Sequence, residues 1–146
     1  ETENSKTDYS VLRTNLLVSV LKILSENVDS EYPQKIFEIG ICFKKDDKEE
    51  TCIKESNKLA IALTPGNFTE LKQILEYLAR MLSIEFKIEE TSEQNFIEGR
   101  VGKIIFNSKE IGLLGEIHPS LLKSWHLKMP LVYLELDLEE VFEKLG

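Results

Sequence analysis

The chain has 146 residues, of which 42% are hydrophobic and 30% charged, a balance that indicates one folded domain and excludes a disordered tail. No apolar run approaches the roughly 20 residues that cross a bilayer, so a membrane-spanning segment is excluded. Acidic residues outnumber basic ones by 26 to 18, and the net charge of −8 disfavours binding to a nucleic-acid backbone. We expect a soluble, cytoplasmic domain without membrane contact.

The start of the chain, from Glu1 to Asp8, is polar and mixed in charge, which is unlike a signal peptide and typical of a flexible start. The first residue is a glutamate and not an initiator methionine. We therefore expect residues 1–146 to be a single domain cut from a longer polypeptide, with residues 1–8 disordered or flexible.

The first regular element that the pattern predicts is a helix over residues 10–28. Its apolar positions cover most of the circumference and leave only one consistently polar strip. A helix that rests on a single surface needs an apolar stripe of about 100°, so this helix is expected to pack against its own sheet and against a second chain. The alternative is an ordinary core helix that its own domain buries. The apolar residues are Val11, Leu12, Leu16, Leu17, Val18, Val20, Leu21, Ile23, Leu24 and Val28.

Two strands and a second helix follow. Residues 35–43 and 58–64 are rich in large apolar residues and predict two strands joined across a charged turn. Asn67 followed by Glu70 predicts a helix N-cap with a supporting acid. The apolar spacing that follows gives this helix one buried face, so we expect it to cover a sheet.

The second half of the chain predicts further strands and two short helices. A break at residues 107–109 between two apolar runs indicates a hairpin. About six strands with helices between them predict an α+β domain, built on a mostly antiparallel sheet flanked by helices. The strands are expected over residues 84–89, 101–106, 110–117 and 131–137, and the helices over 119–124 and 138–145.

Two cysteines flank the charged turn. Cys42 and Cys52 could approach each other if the two strands pair. Because the sequence has no secretory signal, free thiols are expected and not a disulfide. Two cysteines without a second pair are poor evidence for zinc.

One short stretch carries an acid and a histidine. Glu116 and His118 alternate onto one strand face, as an acid–base pair or two metal ligands would, but no third ligand is evident. The alternative is structural, with His118 bonded to backbone at a strand end and Glu116 at a packed rim. Gly112 and Gly115 predict a bulge or a close approach of backbones. Trp125 is predicted to anchor the core or an interface.

Several motifs stand in a fixed order along the chain. They are Leu12-Arg13 with Leu16-Leu17, Phe37-Glu38-Ile39-Gly40, Gly115-Glu116-Ile117-His118-Pro119 and Glu135-Leu136-Asp137-Leu138. In this order they resemble the β subunit of phenylalanyl-tRNA synthetase of the archaeal or eukaryotic type, and more narrowly its class II synthetase-like core module. Two positions depart from the family pattern, since Ser5 replaces a proline and Val18 with Ser19 replaces a Pro-Gly pair.

The resemblance implies both a fold and a partner. The fold is a class II core whose first long helix lies at a subunit interface, and the partner is the catalytic α subunit in an α2β2 hetero-oligomer. ATP and magnesium would bind elsewhere in the whole enzyme, and direct contact between this fragment and tRNA is not expected. The candidate interface residues are Leu12, Arg13, Leu16, Leu17, Val20, Leu21 and Leu24.

The resemblance also implies what a working class II site would contain. Such a site holds ATP phosphates with arginines, one of them in an Arg-x-Glu setting on a strand, but the corresponding strand here, Phe37 to Gly40, has none. A second motif is a glycine-alternating strand and helix that ends in Glu-Arg, and the nearest candidate, Gly112 to Ile117, has no arginine after its glutamate. The whole chain contains only Arg13, Arg80 and Arg100. We therefore expect no catalytic residue, no cofactor site and no metal site in this fragment.

The favoured hypothesis is thus a non-catalytic module of phenylalanine–tRNA ligase that supports the ATP-dependent attachment of phenylalanine to its tRNA by the α subunit. The alternative is a free-standing α+β domain that senses a small molecule such as an amino acid in a pocket with a few converging polar groups. An independent enzyme that uses Glu116 and His118 is a third hypothesis.

Overall fold

The structure is a computed structural model that describes residues 13–45 and 53–145. The expected flexible start, the candidate interface residue Leu12 and Cys52 lie outside the described residues. The helices are α1 (Leu17–Glu26), α2 (Phe68–Leu82), α3 (Pro119–Ser124) and α4 (Leu138–Leu145). The strands are β1 (Gln34–Lys45), β2 (Ile53–Thr64), β3 (Lys87–Glu90), β4 (Phe96–Phe106), β5 (Lys109–Ile117) and β6 (Val132–Asp137). None of these helices is long and apolar enough to cross a lipid bilayer.

The six strands form one sheet in the order β1-β2-β6-β5-β4-β3. Every neighbouring pair is antiparallel, which confirms the predicted α+β fold. The last strand in the sequence, β6, lies inside the sheet because it pairs with β2 on one side and with β5 on the other. It therefore joins the β1–β2 hairpin to the three strands that follow α2.

Helices cover both faces of the sheet, because alternate residues of each strand point to opposite faces. On one face, here called the α1 face, α1 and α3 pack over side chains that include Ala60 and Tyr133. On the other, here called the α2 face, α2 and α4 pack over side chains that include Ile61 and Leu134. Each face of the sheet therefore has its own apolar core.

Helix α1 begins later than the predicted start at residue 10. Residues 13–16 are not helical, and the first helical residue is Leu17. The Leu17 N–H is bonded by the Asn15 side chain at 3.0 Å, and the Leu16 N–H is bonded by Glu135 on β6 at 3.0 Å. These two bonds satisfy the backbone N–H groups of Leu16 and Leu17, so no helical turn is needed before them. Residues 13–16 can therefore run against the sheet.

Strand β3 is also shorter than predicted and begins at Lys87 rather than at residue 84. Helix α2 ends in a left-handed residue, Ser83 (φ 56°, ψ 42°). Ile84 and Phe86 then pack as half-buried residues against the core of the α2 face. The alternation of half-buried and exposed residues over 84–86 therefore belongs to a loop that packs against the core before β3 begins to pair with β4.

Two local predictions are confirmed in detail. The Asn67 side chain accepts from the Glu70 N–H at 2.9 Å, and the Glu70 carboxylate accepts from the Asn67 N–H at 3.1 Å, which is a complete capping box. The β4–β5 hairpin turns at Asn107 and Ser108, both with positive φ (52° and 65°), as a two-residue turn of this type requires.

The glycines of β5 allow a close approach of backbones, as predicted. A Cβ at Gly112 would collide with the carbonyl oxygen of Glu135 on β6. A Cβ at Gly115 would lie 2.8 Å from the carbonyl oxygen of Arg100 on β4. The β4–β5 register also shifts between Ile104 and Ile105, opposite Gly112, so the glycines serve packing within the sheet.

Replacing Asn67 with alanine removes the oxygen that caps α2. We expect the free energy of unfolding to fall by about 1 kcal/mol, because the Glu70 N–H loses its partner. Asn67→Ser is the matched control and should cost only about a few tenths of a kcal/mol, because serine keeps a side-chain oxygen that can cap the helix. Urea denaturation of the three proteins measures both effects, and equal losses in the two variants would contradict the capping role.

Candidate functional site

The three arginines lie on different parts of the domain. Arg13 lies at the outer edge of β1, where its Nε donates to the Ile41 carbonyl at 2.8 Å. Arg100 is on β4, where it bonds to Glu116, and Arg80 is exposed in the last turn of α2. Strands β1 and β4 are four strand spacings apart, or roughly 19 Å, so these side chains do not form one phosphate-binding cluster.

On the α1 face, the chain's own residues cover β1, the strand that the resemblance compares with the arginine-bearing strand of a class II site. A Cβ at Gly40 would lie 2.7 Å from Arg13 Nη2 and 2.9 Å from Leu16 Cδ2. Glycine at this position lets segment 13–16 lie directly against β1, on the α1 face. The Phe43 N–H donates to the Arg13 carbonyl at 2.8 Å and fixes the start of the segment to the same strand.

A buried carboxylate holds the other end of this segment. Glu135, on β6, is 6% exposed. Its Oε1 accepts from the Leu16 N–H at 3.0 Å and from the Tyr133 hydroxyl. Its Oε2 pairs with Lys58 Nζ at 3.2 Å, and the same ammonium donates to the Thr14 carbonyl at 3.0 Å. We call Glu135, Lys58, Tyr133 and the Thr14 and Leu16 backbone the Glu135 network.

Burial keeps the protons on two neighbouring groups of the α1 face. Burial raises the pKa of the Tyr133 hydroxyl far above its usual range, and the Glu135 carboxylate raises it further. Tyr133 is therefore a neutral donor to Glu135. Cys42 is the free cysteine among the described residues, and burial raises the pKa of its thiol. A raised pKa disfavours the thiolate, which is the nucleophilic form.

The sequence offered one candidate for the glycine-alternating motif, and the structure shows another strand, β6, that continues directly into a helix. Gly112 to Ile117 form β5, whereas β6 pairs directly with β2 and continues into α4 without a break. On β6 the alternate positions that face the α1 side are Tyr133 and Glu135, and α4 begins Leu-Glu-Glu without arginine. Tyr133 and Glu135 therefore fill this part of the α1 face.

Near the end of β1 an aromatic residue is followed by a basic residue. Phe43 is followed by Lys44 and, two residues later, by Asp46. Lysine supplies a point charge and lacks the planar fork with which arginine holds a phosphate at two points. The side chains of Lys44 and Asp46 lie outside the described residues.

Glu116 and His118 have separate structural roles, which confirms the structural alternative. Glu116 pairs with Arg100 at 3.0 Å and accepts from the Phe68 N–H, at the start of α2, at 3.2 Å. His118 Nδ1 accepts from the Ser120 N–H at 3.1 Å and caps α3. Among the described residues, no three His, Cys, Asp or Glu side chains are grouped to hold a metal ion. Trp125 is half-buried at the end of α3, against the core of the α1 face.

The candidate interface residues on α1 need a correction. The apolar candidates among the described residues are at most 8% exposed, because they pack onto their own sheet. Their apolar area is therefore not free for a second chain, and only Arg13 among the described candidates is exposed. A helix pattern cannot distinguish the domain's own sheet from a partner. The buried residues are Leu16, Leu17, Val20, Leu21 and Leu24.

The fold is that of an aminoacyl-tRNA synthetase core. A crystal structure of pyrrolysyl-tRNA synthetase from Desulfitobacterium hafniense superposes with a TM-score of 0.69 at 24% identity, over 89% of this chain and 48% of that chain. A second structure of the same organism's pyrrolysyl tRNA synthetase gives a TM-score of 0.66 at 22% identity, with the same coverage. At these identities the likeness concerns the fold alone.

The family follows from the sequence comparisons. Residues 3–138 match the family model of the phenylalanyl tRNA synthetase beta chain CLM domain, and the chain belongs to this family. It is 46% identical over 136 residues to the phenylalanine–tRNA ligase beta subunit of Pyrococcus furiosus and 44% over 137 residues to that of Pyrococcus abyssi. These matches cover 92% of the chain but only 24% and 25% of the relatives. The chain therefore spans about a quarter of the length of these subunits.

Replacing Glu135 with alanine should destabilise the domain strongly. The Leu16 N–H and the Tyr133 hydroxyl lose their acceptor, and the Lys58 ammonium loses its carboxylate. We therefore expect a loss of about 3–5 kcal/mol in the free energy of unfolding. Glu135→Gln retains an oxygen acceptor and should cost clearly less. Urea denaturation followed by circular dichroism measures both, and a loss below about 1 kcal/mol for Glu135→Ala would exclude a central role of the network.

The Tyr133 hydroxyl should make stability depend on alkaline pH. Because the folded-state pKa lies above the unfolded value of 10.0, its contribution is fully present below pH 10 and is lost as the pH rises further. Tyr133→Phe should cost about 1.5–3 kcal/mol at pH 7. Above pH 10 the wild-type advantage should shrink by up to about 1.4 kcal/mol per pH unit. Urea denaturation from pH 7 to 11 tests this, and a constant difference between the two proteins would refute it.

Proposed function

We propose that the chain is a non-catalytic structural module of a phenylalanine–tRNA ligase β subunit. It supports the ATP-dependent attachment of phenylalanine to its tRNA, and a separate α subunit performs the chemistry. In this proposal ATP and magnesium bind elsewhere in the enzyme, and the module itself does not contact tRNA. The enzyme is cytoplasmic and has an α2β2 composition.

The observation that carries the proposal is that the α1 face is filled by the chain's own residues. Segment 13–16 lies against Gly40, and the Glu135 network occupies the adjoining part of β2 and β6. Glu38 on β1 adds a buried carboxylate oxygen that has no hydrogen-bond partner among the described residues. Two carboxylates at this face oppose a triphosphate, which needs cations and free space.

A partner subunit is supported by the names of the relatives. Those with 44% and 46% identity are beta subunits of phenylalanine–tRNA ligase, and a beta subunit assembles with at least one other kind of chain. The class II-like sheet is retained here without the arginine-bearing motifs. A synthetase-like fold that is retained without these motifs is consistent with a role in assembly.

The sensor alternative is not favoured. The chain spans only about a quarter of the length of its relatives of 44% and 46% identity, which supports a module of a larger subunit over a sensor that stands alone. The open depression beside β4 is lined by Glu93, Glu98 and His118 among others, and its two acids do not form the convergent polar set that holds an amino acid.

Isothermal titration of the chain with magnesium–ATP tests the absence of a nucleotide site. We expect no saturable binding with a Kd below about 1 mM, because the face is filled. The assembled ligase, titrated under the same conditions, is the positive control. Saturable binding to the chain in the micromolar range would overturn the proposal.

The supporting role is measured separately. Full-length β subunit that carries Glu135→Ala should assemble less with the α subunit, and aminoacylation should fall in proportion to the assembled fraction. Aminoacylation per assembled complex should remain unchanged. A fall in the rate of the assembled complex itself would mean that the module takes part in the chemistry.

A further inference from the structure

We draw no further inference here: the strongest candidate, the exposed apolar surface patch that Phe37, Ile39 and Ile41 form on the α2 face of β1, carries none, because nothing in the part of the chain that the structure describes shows what covers it.

Discussion

The carboxylate of Glu135 connects three parts of the domain that are far apart in the sequence. It bonds the backbone at the start of α1, an ammonium on β2 and the neighbouring hydroxyl on its own strand. A buried charge is tolerated only when such partners surround it. The position of α1 on the sheet, and hence the closing of the α1 face, therefore depends on this one side chain and its partners.

The synthetase-like sheet is accounted for by interactions that involve no ligand. The sheet itself depends on strand pairing and two apolar cores, and neither requires a catalytic residue. Tyr133 and Glu135 fill the α1 face beside α1 with an aromatic ring and a carboxylate. A fold of this kind does not by itself define a function.

Much of the fold could be predicted from the sequence, because it is encoded in local patterns. The capping box at Asn67 and the Asn107–Ser108 hairpin depend on neighbouring residues and are present as expected. The start of α1 could not be predicted, because the Leu16 N–H is bonded by a residue more than a hundred positions away.

The candidate site shows the same division. The motifs indicated the family, whereas the absence of a nucleotide site stays a prediction. The periodicity of α1 could not show that its leucines and Val20 face their own sheet while Val18 is exposed. The pairing of β6 with β2 was needed to recognise Tyr133 and Glu135 as the residues that fill the face. The exposure of Phe37, Ile39 and Ile41 on β1 could not be predicted, because it depends on where α2 and α4 lie.

The interior position of β6 has a consequence for how the domain forms during synthesis. The β1–β2 hairpin and the β3–β5 group leave the ribosome first, but they have no strand between them until residues 132–137 emerge. Contacts between such distant segments form slowly. Until then the nascent chain has two incomplete sheets with open inner edges, a state in which chaperone binding or mispairing with another chain competes with completion of the fold.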